Sequence, residues 1–173
     1  VFDLAGTTVE DNQDVQRVLA GTMKKFNIAI TLEEAAGVMG IPKPVAIRQL
    51  LMLKNAVDKI SNDLIQKMYL VFVQDMIAFY RYDVSIREKN GTSETFATLK
   101  RHNIKIAVNT GFDHIVTNVL LERLGWIRYG LVDCSVTSDE VTRGRPFPDM
   151  IFKAMRLTGV SNASMVAKVG DTV

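Results

Sequence analysis

From about residue 88 onward, short apolar runs alternate with helical patterns, and few folds are open to a chain built that way. Phe96 and Leu99 fall on a helical stripe, Ile104 to Val108 reads as a buried strand, and Ile115 to Leu124 is helical again. Leu131 to Cys134 reads as a further strand, Pro146 to Leu157 as a helix, and Val166 to Val169 as a last strand before Gly170. Strands separated by helices lie side by side only through crossovers, so the expectation is a parallel sheet with right-handed connections. The opening Val1-Phe2-Asp3 then reads as the end of one more strand of that sheet.

Between this opening and residue 88 the texture is helical. Val15, Val18, Leu19, Thr22, Met23 and Phe26 recur at spacings of three and four. Thr31 followed by Glu34 is a capping-box pattern, Pro44 suits the start of a helix, and Ser61 precedes a stripe of Leu64, Ile65, Met68, Phe72 and Met76. The expected organisation is an α/β parallel-sheet core from residues 1–10 and 86–173, interrupted by an inserted helical unit over residues 11–85. In such sheets ligands bind beyond the carboxyl ends of the strands, so an insertion at that edge is a cap over the site.

Composition excludes several function classes. The 21 Lys and Arg nearly balance the 19 Asp and Glu with no basic run, which argues against a nucleic-acid groove or a membrane-surface patch. No stretch reaches the roughly 18 apolar residues that cross a bilayer. The single cysteine, Cys134, cannot form an internal disulfide and reads as buried and structural, which fits a reducing cytoplasm. His102 and His114 have no metal-ligand spacing and read as surface residues, while Trp126 and the methionines read as core. The chain opens without Met and only two residues ahead of Asp3, and the expectation is that both ends are missing.

Four strand-end or helix-start segments carry the chemistry. Asp3-Leu4-Ala5-Gly6-Thr7-Thr8 sets a carboxylate at a sharp turn whose glycine leaves backbone amides exposed, a phosphate cradle in form and equally an ordinary turn. Val108-Asn109-Thr110-Gly111 offers a hydroxyl and an adjacent amide, Gly144-Arg145-Pro146 a cation, and Gly170-Asp171 a second carboxylate suited to a hard cation with oxygen ligands.

Together and in this order the four segments resemble the motifs of the haloacid dehalogenase superfamily. The resemblance implies a Rossmann-like hydrolase core with a cap, Asp3 as nucleophile, and Gly6, Thr7, Thr110, Gly111 and Arg145 as phosphoryl-binding residues. It also implies Mg2+ held by Asp3, the Ala5 carbonyl and Asp171. Ala5 stands where the related phosphatases carry a second Asp, the acid for an oxygen leaving group. Asp-x-Ala-Gly-Thr and Arg-Pro together resemble the phosphonoacetaldehyde hydrolase, or phosphonatase-like, branch.

That branch carries a cap lysine in a Met-Gly-x-x-Lys setting, and this chain reads Met39-Gly40-Ile41-Pro42-Lys43. By resemblance Lys43 forms a Schiff base with the substrate aldehyde, so that carbon leaves phosphorus as an enamine, with Met39 and Gly40 lining the substrate. A free amine is required, yet an unperturbed lysine has a pKa of about 10.4. A helix dipole is worth only about 0.3 to 1 kcal/mol, so desolvation under the cap must supply the rest. The branch usually has a histidine three residues after the lysine, where this chain has Ala46. A phosphate-monoester hydrolase or phosphoglucomutase-like enzyme stays open as the alternative, with a non-catalytic binding module and a dehalogenase behind it. The resemblance further suggests a homodimer through the caps and a small phosphonate or phosphate as substrate.

Overall fold

The computed structural model describes residues 1–56 and 60–171. The end of the expected core segment, residues 172–173, and residues 57–59 of the insertion lie outside the described residues. Four helices come first: α1 (Asp14–Lys25), α2 (Leu32–Ala36), α3 (Lys43–Leu53) and α4 (Asn62–Tyr82). After them helices and strands alternate: α5 (Thr92–Arg101), β1 (Ala107–Thr110), α6 (His114–Leu124), β2 (Cys134–Thr137) and α7 (Asp149–Thr158).

Local chemistry sets several of these starts. The Thr31 hydroxyl accepts from the Glu34 amide at 3.1 Å, and the Glu34 carboxylate accepts from the Thr31 amide at 2.8 Å, so the capping box at α2 is complete. Ser61 caps α4 through the Leu64 amide at 3.1 Å, and Asp113 caps α6 through the Val116 amide at 2.9 Å, each such cap being worth about 1 kcal/mol. Pro44 takes the second position of α3, where its missing N–H leaves no helical bond unmade.

β1 and β2 pair in parallel, Ala107 opposite Cys134 through Thr110 opposite Thr137. Phe2 extends the sheet, pairing in parallel with Val108 on one side and Val169 on the other. The spatial order is therefore Val169, Phe2, β1, β2, and the chain turns that follow all emerge at one edge.

Several expected elements shift, and the strand expected at Ile104 to Val108 lies instead at Ala107–Thr110. The strand expected at Leu131 to Cys134 instead begins at Cys134, because Leu131 and Asp133 are tied into a turn by bonds to the Trp126 and Ile106 carbonyls. The helix expected from Pro146 starts at Asp149, since two prolines and the turn that bonds Phe147 to Gly144 precede it. Val1–Asp3 and Val166–Val169 pair through single residues rather than as full strands. Two methionines also leave the expected core: Met52 on α3 and Met165 in a short turn are 52% and 79% exposed, whereas Met23, Met68, Met76 and Met150 are buried. Cys134 is half-buried, and burial raises its thiol pKa.

The helical segment leaves and rejoins the sheet along two crossings bonded to each other, Glu10 to Arg87 at 3.1 Å and Lys89 to Thr8 at 2.9 Å. Within the segment α4 packs on α1 and α3, and it also packs on α6. One buried apolar cluster runs without a break from Leu19 and Met23 through Leu50 and Phe72 to Val116, Ile106 and Trp126. Phe96 stacks edge-on against both Phe2 and Trp126, with centroids 5.1 and 5.2 Å apart, closing the core beneath the strand ends. No helix among the described residues is long and apolar enough to cross a membrane.

Candidate active site

The sheet edge and the helical segment enclose a cavity of about 210 Å³. Its floor comes from the strand ends: Asp3, Ala5, Thr110, Gly111, Arg145 and Asp171. Its roof comes from Met39, Gly40 and Lys43, with Gln16 and Asp11 at one side. Nine of the eleven residues singled out in the sequence thus meet around one space.

Asp3 is 6% exposed and its carboxylate is held twice. Oδ1 accepts from the Leu4 amide at 2.8 Å, and Oδ2 pairs with Nη1 of Arg145 at 2.8 Å. Arg145 is braced in turn, its Nη2 donating to the Asn109 carbonyl at 3.1 Å and to the Asn109 side-chain oxygen at 3.2 Å. Arg145 sits in the turn ahead of α7 rather than at the helix start expected for it. Thr110 ends β1, buried, its hydroxyl accepting from the Phe112 amide at 3.3 Å.

Gly6 and Thr7 do not line the cavity as expected. They stand behind Asp171 instead: the Thr7 hydroxyl donates to Asp171 Oδ1 at 3.1 Å. Gly6 has φ +82°, and a Cβ there would lie 2.4 Å from Asp171 Oδ2. Only glycine allows both that backbone and that approach. Among the described residues no group of three or more His, Cys, Asp or Glu side chains could hold a metal. The two carboxylates of Asp3 and Asp171, both lining this floor, instead fit a hard cation that keeps much of its water shell, as magnesium does.

Lys43 is the first residue of α3 and only 6% exposed. Its Nζ lies 6.0 Å from the ring centroids of both Phe72 and Phe112, and among the described residues it has no ion-pair partner. Burial, aided by the positive charge of Arg145, lowers its pKa from 10.5 to about 8. The roof is close to the floor here, since a Cβ on Gly111 would come within 3.5 Å of the Gly40 carbonyl oxygen.

Several residues at the site carried no signal that motif reading used. Lys168 donates to the Val169 carbonyl at 2.9 Å; burial lowers its pKa, while the nearby charge of Asp3 opposes that shift. Gln16 places a buried side-chain oxygen without a partner among the described residues. Tyr69 donates to Asp113, and burial followed by that carboxylate pushes the phenol well above its usual range. Nothing in the sequence tied Tyr69 to Asp113, 44 residues further along. His102 and His114 are exposed as expected; His114 pairs with Asp139, which raises the imidazole pKa.

The haloacid dehalogenase-like hydrolase family matches residues 1–173. A phosphonoacetaldehyde hydrolase of Bacillus cereus is 33% identical over 183 residues, covering 100% of this chain and 68% of its own length. Among solved structures, a phosphonoacetaldehyde hydrolase-like protein from Oleispira antarctica superposes with a TM-score of 0.80 at 24% identity, covering 99% of this chain and 65% of that one. CbbY from Rhodobacter sphaeroides, in complex with phosphate, superposes with a TM-score of 0.76 at 20% identity over 92% of this chain and 71% of its own. This chain thus spans about two thirds of the relatives it matches first. A parallel sheet with its helices, the four strand-end segments in order and the full-length match together place the chain in the haloacid dehalogenase-like hydrolase family, on its phosphonatase-like branch.

Proposed function

We propose that this hydrolase cleaves the carbon–phosphorus bond of phosphonoacetaldehyde or a related phosphonate carbonyl compound. The observation that carries the reading is Lys43: a buried, unpaired amine with a pKa of about 8, facing a carboxylate-and-arginine floor across a small cavity. An ester hydrolase has no use for a neutral amine there, and the floor offers Ala5 where an acid would protonate an oxygen leaving group.

In this reading the Lys43 amine adds to the substrate carbonyl and water is lost, leaving a protonated imine. The Asp3 carboxylate then attacks phosphorus while the C–P electron pair moves into the carbon framework as an enamine. Arg145 and Thr110 hold the phosphonate oxygens in line. Hydrolysis of the aspartyl phosphate releases phosphate, and hydrolysis of the imine formed on protonating the enamine releases the aldehyde and the free lysine. A magnesium ion held by Asp3, the Ala5 carbonyl and Asp171 would supply charge neutralisation at the phosphonate. Residues 11–85 act as the cap, excluding water from the imine.

Phosphate release by the full-length protein from phosphonoacetaldehyde, set against a panel of phosphate monoesters, tests the reading. Release from the phosphonate, with borohydride attaching the carbon fragment to Lys43 and no activity in Lys43→Arg, is expected. Release from monoesters alone, or full activity in Lys43→Arg, overturns it in favour of a phosphatase.

A further inference from the structure

A second cavity, of about 270 Å³, lies against the first and shares with it Lys43, Gly111 and Phe112. Lys43 is therefore at a junction. One space leads from it to Asp3 and Arg145, and the other leads away, between α4 and α6. One part of the wall of the second space is apolar: Pro42, Pro44, Phe72 and Val116. The rest of its wall is polar: Ser138, Asp139 and the Tyr69 hydroxyl, which donates to Asp113 Oδ2.

We propose that this second cavity receives the substituent on the carbonyl carbon, so that the enzyme accepts phosphonomethyl ketones bearing a short chain that ends in a hydroxyl group. The inference rests on the reading of Lys43 as the imine-forming amine. With phosphorus at Asp3 and the carbonyl carbon at Lys43, whatever else that carbon carries points away from phosphorus, into the second space. In phosphonoacetaldehyde it carries only hydrogen. A hydrogen needs almost none of 270 Å³, while one water takes roughly 30 Å³ of liquid volume, so the space admits several heavy atoms. Apolar walls suit methylenes. The carboxylate of Asp113 already accepts from the Val116 amide and Tyr69, and with the His114-paired Asp139 beside it the polar wall offers acceptors to a hydroxyl donor rather than a partner for an anion.

The test compares three carbonyl compounds with the full-length protein and magnesium: phosphonoacetaldehyde, phosphonoacetone, and the ketone in which a hydroxyethyl group replaces the methyl of phosphonoacetone. Both ketones should release phosphate, and kcat/KM should rise about tenfold from the methyl to the hydroxyethyl ketone. Phosphonopyruvate, whose substituent is a carboxylate, should be rejected. Val116→Phe should lower the ratio of hydroxyethyl-ketone to aldehyde kcat/KM about tenfold, and Tyr69→Phe should flatten the preference for the hydroxyl. Release from the aldehyde but from neither ketone, equal rates for the two ketones, or a preference for phosphonopyruvate overturns the proposal alone. Failure to cleave phosphonoacetaldehyde, with monoesters hydrolysed, instead overturns the reading of Lys43 beneath it.

Discussion

On the floor of the cavity the Asp3 carboxylate has two partners at 2.8 Å, the Leu4 amide and the Arg145 guanidinium, whereas on the roof the Lys43 amine faces two phenylalanine rings and, among the described residues, no counter-ion. The contrast is the one that the proposed mechanism requires of the two groups. A carboxylate that attacks phosphorus must stay ionised and aimed, so it is surrounded by donors. An amine that attacks carbon must be neutral, so it is stripped of solvent and of anions and set near a like charge. On the floor Asp3 is matched by Arg145, whereas the roof places Lys43 against aromatic rings.

Replacing Asp3 with Asn gives the sharpest break between the two. Loss of the nucleophile should lower phosphate release by a factor on the order of 10⁴ or more. If floor and roof act separately, the variant should still form the imine, and borohydride should still attach the carbon fragment to Lys43. Loss of trapping together with turnover would mean that the two surfaces work as one unit.

Substitution at Lys43 should act in the opposite direction on stability. Its pKa is lowered from 10.5 unfolded to about 8 folded, so between those values the unfolded state binds the extra proton and stability rises with pH. Below about pH 8 the whole penalty is present. Lys43→Met should abolish activity yet stabilise the fold at neutral pH by on the order of 3 kcal/mol, read by urea denaturation. Activity should climb towards a plateau above about pH 8 as the amine loses its proton. The charged and titratable groups bordering the two cavities it joins are Asp3, Arg145, Asp171, Asp11, Asp139 and the Tyr69–Asp113 pair. A destabilised Lys43→Met, or a flat profile across this range, would remove the contrast between the two surfaces.

The same contrast decides what could be read from the sequence. Floor groups come from turns of a few residues, Asp3 to Thr8, Thr110-Gly111 and Gly170-Asp171, because a parallel sheet delivers successive strand ends to one edge whatever lies between them. The alternation of apolar runs and helices therefore located them, even though Val1–Asp3 and Val166–Val169 pair only through single residues and β2 starts three residues late. The groups of the second cavity come from positions far apart in the chain, such as Tyr69 on α4 and Asp113 ahead of α6, brought together by helix packing that no short spacing encodes. Gln16 and Lys168 stayed invisible for the same reason. Lys43 was legible only through Met39-Gly40 before it, and its depressed pKa depends on Phe72 and Phe112, which lie 29 and 69 residues further along the sequence.

The smallest expected effect probes how tightly the floor is built. Gly6 has φ +82°, a conformation that costs a side-chain-bearing residue roughly 1 to 2 kcal/mol. Its missing Cβ would stand 2.4 Å from Asp171 Oδ2, so alanine there must push that carboxylate off the position set by the Thr7 hydroxyl. Asp171 is exposed and can move, so the chain should still fold, with a melting temperature a few degrees lower. What should change is the cation requirement: the magnesium concentration giving half-maximal phosphate release should rise about tenfold, with imine trapping at Lys43 unaltered. Thr7→Val, which removes the hydroxyl without touching the backbone, should produce the same shift to a smaller degree. An unchanged magnesium requirement in Gly6→Ala would mean that Asp171 does not hold the cation, and the floor would then be a phosphonate cradle built from Asp3, Thr110 and Arg145 alone.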